Sequence, residues 1–223
     1  MRCSLNGKNY KVMTFQHLFY IPTIFLLGLI FGILLTTNTS TASAEGKMSG
    51  KKLGLVFLIF IIVFIITHSF NVPAGSKQVS MLLGGLEIFD KKPIFGSDAV
   101  YHYMQSFTEI GIRVYKRFTY TIDFIFPLSM LLFLHTFSKF TLQRVALTKY
   151  FFKTVKLLPW IWFGFDMLEN ATVFYLLTEF PKQHIFVAGS LAWITVVKFA
   201  LLFLSLLVPA LLLLFAKKQR HQH

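Results

Sequence analysis

The chain has 223 residues, 55% of them hydrophobic and 14% charged, with a mean hydropathy of +0.64; soluble domains carry about 25% charge, so a soluble globular protein is excluded. The net charge of +13 comes from 22 Lys and Arg against 9 Asp and Glu, but the basic residues sit beside apolar runs, as in cytoplasmic loops of membrane proteins, and not along a nucleic-acid-binding face. The single cysteine, Cys3, excludes an internal disulfide, a Cys-x-x-Cys redox pair and a thiolate metal cluster.

The first 47 residues allow three readings. Residues 18–35 form an apolar run and Ala42-Ser43-Ala44 resembles a small-residue cleavage site, which is the pattern of a signal peptide. Cleavage there would leave Lys47, Lys51 and Lys52 outside and either invert the four later spans or demand another crossing. An uncleaved additional span, or a natural start at Met48 with an upstream extension before it, fits the charge pattern better.

After residue 50, four segments approach the roughly 20 apolar residues that a helix needs to cross the hydrocarbon core: 53–70, 118–138, 157–178 and 185–216. Pro159 is expected in the first turn of the third, where its missing N–H costs nothing. The fourth is over-long, which implies tilt, a bend at Pro209 or emergence before Lys217. Lys47, Lys51 and Lys52, then Arg144, Lys149, Lys153 and Lys156, then Lys217, Lys218 and Arg220 flank the same ends of these spans, which should be cytoplasmic. Arg113, Lys116 and Arg117 lie on the opposite side and weaken the bias. The expected architecture is all-α: a polytopic four-helix transmembrane bundle over 48–216, with a basic tail at 217–223.

The largest piece outside the spans is 71–117, too short for a domain of its own. Its second half places Val100, Met104, Phe107, Gly111, Val114 and Phe118 at helical spacing, with Gln105, Ser106, Glu109, Arg113 and Lys116 on the rest of the wheel. The spacing predicts an external amphipathic helix between spans one and two, capped by Ser97 or Asp98, lying on the outer leaflet or running into the second span. Gly84-Gly85 reads as a turn.

A charge at mid-bilayer depth costs about 2.5–3.5 kcal/mol on insertion scales, so ionisable residues inside spans mark sites that are paired, hydrated or functional. The third span places Trp162, Asp166, Glu169 and Val173 on one stripe, flanked by Asn170, because steps of four, three and four residues return to nearly the same direction. The fourth carries Lys198 with Leu191, Thr195 and Ser205 on its side; the second carries Asp123 with Pro127 and Met130. Counted from their outer ends, Asp166 and Lys198 reach the same depth, about 18–20 Å, and should meet. Three carboxylates then face one ammonium.

The candidate chemical residues are therefore Asp123, Asp166, Glu169 and Lys198, with Asn170, Thr195 and Arg113 as candidate binding residues. A structural reading has the same residues holding helices together where the hydrophobic effect cannot. His68 and His135 fall near opposite ends of their spans and should not share a metal. No phosphate loop, His-Glu-x-x-His helix or Gly-x-Ser-x-Gly elbow is present, and neither a metal nor a cofactor is expected.

The stretches FTEIGIRVYKRFTYTIDFIFPL and WFGFDMLENATVFYLL, followed by a long helix with Lys198, resemble small four-span integral membrane proteins that carry no assigned activity. The resemblance covers about residues 100–200, rests on Glu109, Gly111, Arg113, Tyr115, Asp123, Phe126, Pro127, Asp166, Glu169, Asn170 and Lys198, and implies a four-helix bundle beginning near Met48.

Function is expected to be a binding, assembly or transport-accessory role in a cell membrane with the C-terminus cytoplasmic. The alternatives are a membrane-embedded enzyme acting on a lipid or isoprenoid, with Asp123 or Glu169 as acid/base and Lys198 as electrostatic stabiliser, and a proton- or cation-coupled transporter. Expected partners are membrane lipids and a second copy or another membrane protein, not nucleic acid.

Overall fold

The computed structural model describes residues 48–68 and 75–220; the signal-like segment of 1–47 lies outside the described residues. Every regular element among them is helical: α1 (Gly50–His68), α2 (Ser76–Leu82), a short 3-10 turn (Phe89–Lys91), α3 (Ser97–Gln105), α4 (Glu109–Thr119), α5 (Ile122–Leu142), α6 (Lys149–Glu179) and α7 (Ile185–Arg220). Among the described residues, three segments are long and apolar enough to cross a membrane, Gly50–His68, Glu109–Leu142 and Ile185–Ala216. The chain is a membrane protein by this measure. The expected third span forms a helix, but one that starts at Lys149, with Pro159 well inside it and not in its first turn. Asp166, Glu169 and Asn170 keep it below the apolarity of the other three.

The expected amphipathic helix is two helices. Its chain breaks at Ser106–Thr108, where Thr108 takes the N-cap of α4: its hydroxyl accepts from the Gly111 N–H at 2.9 Å and donates to the Leu82 carbonyl. A new cap, with Glu109 in the first turn and Lys116 and Arg117 in the last, makes a separate helix favourable. Neither Ser97 nor Asp98 caps α3; its N-cap is Gly96, in a left-handed conformation with φ 90°. The spacing was nevertheless informative, because Val100, Met104, Phe107, Gly111 and Phe118 are all buried. α4 runs on into α5 through Tyr120 and Thr121.

Two apolar cores are stacked along the bundle. One joins α2, α3 and α4 to the C-terminal part of α6 and the start of α7, through Val79, Leu83, Phe89, Met104, Tyr115, Val173, Leu176 and Leu191. The other joins α1, α5 and the middle of α6, through Phe60, Met130, Leu134, Trp162, Phe163 and Met167. α6 is central, packing along both α5 and α7. α1 is peripheral: among its residues only Phe60 and Thr67 are buried, and it is held to α5 by interleaved rings, Phe57 on Phe133 at 5.0 Å, Phe60 on Phe133 at 5.6 Å and Phe64 on Phe126 at 5.7 Å. Its other face (Leu55, Leu58, Ile59, Ile62, Ile66) is exposed and apolar, as a lipid-facing surface must be.

Candidate functional site

Between the two cores lies a polar layer. On α6, Trp162, Phe163 and Met167 belong to one core and Val173, Leu176 and Leu177 to the other; Glu169 and Asn170 fall between them and Asp166 one turn before Asn170, all buried. The alignment follows from the stripe in the sequence: residues at these spacings point the same way from the helix, and α5 and α7 close over them.

α7 supplies the cation. Lys198 Nζ lies 3.3 Å from Asp166 Oδ1 and also donates to Glu169 Oε2. One turn away on α7, the Thr195 hydroxyl donates to the other oxygen of Glu169 and lies 3.0 Å from the Leu191 carbonyl. Glu169, 0% exposed, thus has both oxygens occupied. The expected meeting of Asp166 and Lys198 is found; the second carboxylate on the same ammonium and the threonine that completes it were on the right faces, but the pairing was not foreseen.

α5 contributes Asp123, and its position is fixed through the backbone. Pro127 has no N–H, so the Asp123 carbonyl lacks the donor that an α-helix would normally supply from four residues on. Asn170 Nδ2 donates to that carbonyl at 3.1 Å. A neighbouring helix re-satisfies the group that proline left open, as membrane interiors demand, and the same bond pins α5 to α6 at the level of the polar layer. The Asp123 carboxylate is buried, and its Oδ2 has no hydrogen-bond partner among the described residues; the same is true of Asp166 Oδ2 and of Trp162 Nε1.

A fourth carboxylate was missed. Asp90, on the 3-10 turn, lies within electrostatic range of Asp123, Asp166, Glu169 and Lys198. It is half-buried, and the turn that carries it is held by a 2.9 Å bond from the Phe89 N–H to the Tyr115 hydroxyl on α4. In the sequence, Asp90 stands in a connecting segment with Lys91 and Lys92 after it, which reads as solvated chain; only its place between the apolar pair Ile88-Phe89 and the basic pair hinted at a buried edge. Arg113, by contrast, is exposed on α4 and is not among the residues of the layer.

The remaining candidates lie elsewhere. His68 packs on Phe64 and Phe126 at 4.8 and 4.7 Å. His135 Nδ1 accepts from Trp160 Nε1 at 3.2 Å, which requires the ring proton of a neutral imidazole to sit on Nε2. No group of three or more His, Cys, Asp or Glu among the described residues is arranged to hold a metal ion; the cation position between Asp166 and Glu169 is taken by Lys198 itself. The layer can therefore accept hydrogen bonds from a group brought to Asp123 and Asp166 and donate one from Trp162. No family model, no curated protein and no solved structure matches the chain.

Proposed function

We propose that this chain is a four-span membrane protein whose polar layer binds the head of an amphiphilic ligand. In this reading α1, α5, α6 and α7 cross the bilayer, and the short helices α2 to α4 lie over the outer end. The basic residues flanking α1, α5, α6 and α7 mark the cytoplasmic side, with the C-terminus there too. A binding role, in place of catalysis or ion coupling, asks only for polar atoms held ready in a shielded layer.

The carrying observation is the Asp123 carboxylate, buried on its own helix with Oδ2 unpartnered while Lys198 is already engaged by Asp166 and Glu169. Asp166 and Glu169 already share Lys198, so Asp123 adds nothing to that pairing; an unpaired buried polar group is costly unless something meets it. The short helices α2 to α4 pack on the core that adjoins the layer on α6.

Native mass spectrometry of the protein released from mild detergent tests the reading. The wild-type chain is expected to retain a bound amphiphile that Asp123→Asn, unchanged in elution and melting, has lost. A wild-type chain that carries no small molecule but holds a second copy or another membrane protein would replace the binding role with an assembly role. A ligand recovered in chemically altered form would point to the embedded-enzyme alternative.

A further inference from the structure

The unpartnered atoms of the polar layer restrict what its occupant can be. Three buried carboxyl groups, those of Asp123, Asp166 and Glu169, share the layer with the ammonium of Lys198. Both carboxylates that touch Lys198 do so through one oxygen each, and the second oxygen of Glu169 is taken by Thr195. The acceptors left over are Asp166 Oδ2 and Asp123 Oδ2, on two different helices. A phosphate or carboxylate head brings acceptors to a layer whose open side-chain atoms are mostly acceptors, and finds Lys198 already engaged by Asp166 and Glu169. An uncharged alcohol could donate one proton, enough for one of the two open acceptors. A protonated amine brings a positive charge and several N–H donors at once, and charge-assisted hydrogen bonds of this type are about twice as strong as neutral ones.

The third unpartnered atom is a donor. Trp162 Nε1 belongs to a side chain 2% exposed, and Trp162 precedes Asp166 by one helical turn on the same stripe, where side-chain origins are about 5–6 Å apart. Buried indole N–H groups find a partner. A hydroxyl on the carbon beyond the one that bears the amine has the reach to accept from Trp162 Nε1 while the ammonium donates to Asp166.

We infer that the ligand is an amphiphile whose head is a protonated amine with an adjacent oxygen, an amino alcohol in the simplest case, its N–H groups donating to Asp123 and Asp166 and its oxygen accepting from Trp162. The inference rests on the amphiphile-binding reading above and names the head chemistry for that same site.

Binding of four probes with matched alkyl chains to the purified chain in nonionic detergent separates the two claims: a vicinal amino alcohol, the primary amine without the hydroxyl, the trimethylammonium without N–H donors, and the plain alcohol. Ligand-induced shifts in melting and titrations give the affinities. The amino alcohol is expected to bind tightest, with the alcohol and the trimethylammonium weaker on the order of tenfold or more, the scale of a lost charge-assisted hydrogen bond. Asp123→Asn is expected to weaken both amines by a similar factor, and Trp162→Phe to erase the advantage of the amino alcohol over the amine while leaving amine binding in place. The Trp162→Phe result stands by itself if Asp123→Asn does not fold. An alcohol that binds as tightly as the amine, unaffected by Asp123→Asn, would overturn the amine head and leave an amphiphile site standing. A lysophosphatidate that outcompetes all four would overturn the argument from open acceptors. No binding by any probe, together with no co-purified amphiphile, would overturn the amphiphile site as well.

Discussion

The bond from Asn170 to the Asp123 carbonyl joins a backbone defect on one helix to a side chain on another, and it makes a specific claim about energies. Asn170→Leu removes the donor and leaves a buried carbonyl unmet, at a cost of about 1–3 kcal/mol. Pro127→Ala restores a backbone N–H four residues beyond Asp123, so in the Pro127→Ala background the same Asn170→Leu change should cost much less. Melting of the four proteins of this cycle in detergent measures the coupling; equal penalties in both backgrounds would mean that the bond does not substitute for the missing helical one. The ion cluster yields to similar treatment. Lys198→Met strands two buried carboxylates and is expected to destabilise by about 3–5 kcal/mol. Glu169→Gln added to it should recover part of the loss and Asp166→Asn the rest, because the ammonium serves both; full recovery with Asp166→Asn alone would reduce the cluster to one pair.

At the scale of elements, α4 lies backbone to backbone against the end of α2. A Cβ on Gly111 would lie 2.6 Å from the Leu82 carbonyl oxygen and 2.9 Å from Leu83 Cα, both backbone atoms that cannot rotate away. Gly111→Ala must therefore push α2 off α4, at about 1–3 kcal/mol, and hydrogen exchange over 76–91 should accelerate while α6 stays protected. Unchanged exchange there would show that α2 is free to reseat. This contact also explains the limits of the sequence reading. Gly111 was placed on the buried face by its spacing, yet spacing cannot say that a second backbone lies against it. The long helices were legible because runs of apolar residues decide them locally, and the stripe of Asp166 and Glu169 because 3.6 residues per turn fixes which side chains align. The break at Ser106–Thr108 was not, since it depends on Thr108 reaching Leu82, 26 residues earlier. Asp90 escaped for the same reason: the 3-10 turn that carries it is held by Tyr115, and no periodicity announces a tertiary hydrogen bond.

For the whole molecule the open quantity is how many helices cross. α6 is more polar than its neighbours, but a helix in a bilayer need only show lipid its apolar side, and the exposed large residues in its middle are Ile161 and Leu168 while its charges face Lys198. Its 31 residues extend about 46 Å at 1.5 Å each, enough for a hydrocarbon core of about 30 Å. In the four-span reading proposed above, the pairing of Lys198, inside the apolar α7, with Asp166 and Glu169 puts α6 at the depth of α7. The chain reverses between Glu179 and Ile185, so that reading has α6 crossing in the opposite direction. It then predicts that Lys153 and Lys182, both exposed, lie on opposite sides of the membrane. In a Cys3→Ser background, Lys182→Cys should react with an impermeant maleimide in intact cells, whereas Lys153→Cys should react only after permeabilisation. Labelling of both from one side would remove α6 from the set of spans, and with it the burial that the polar layer requires.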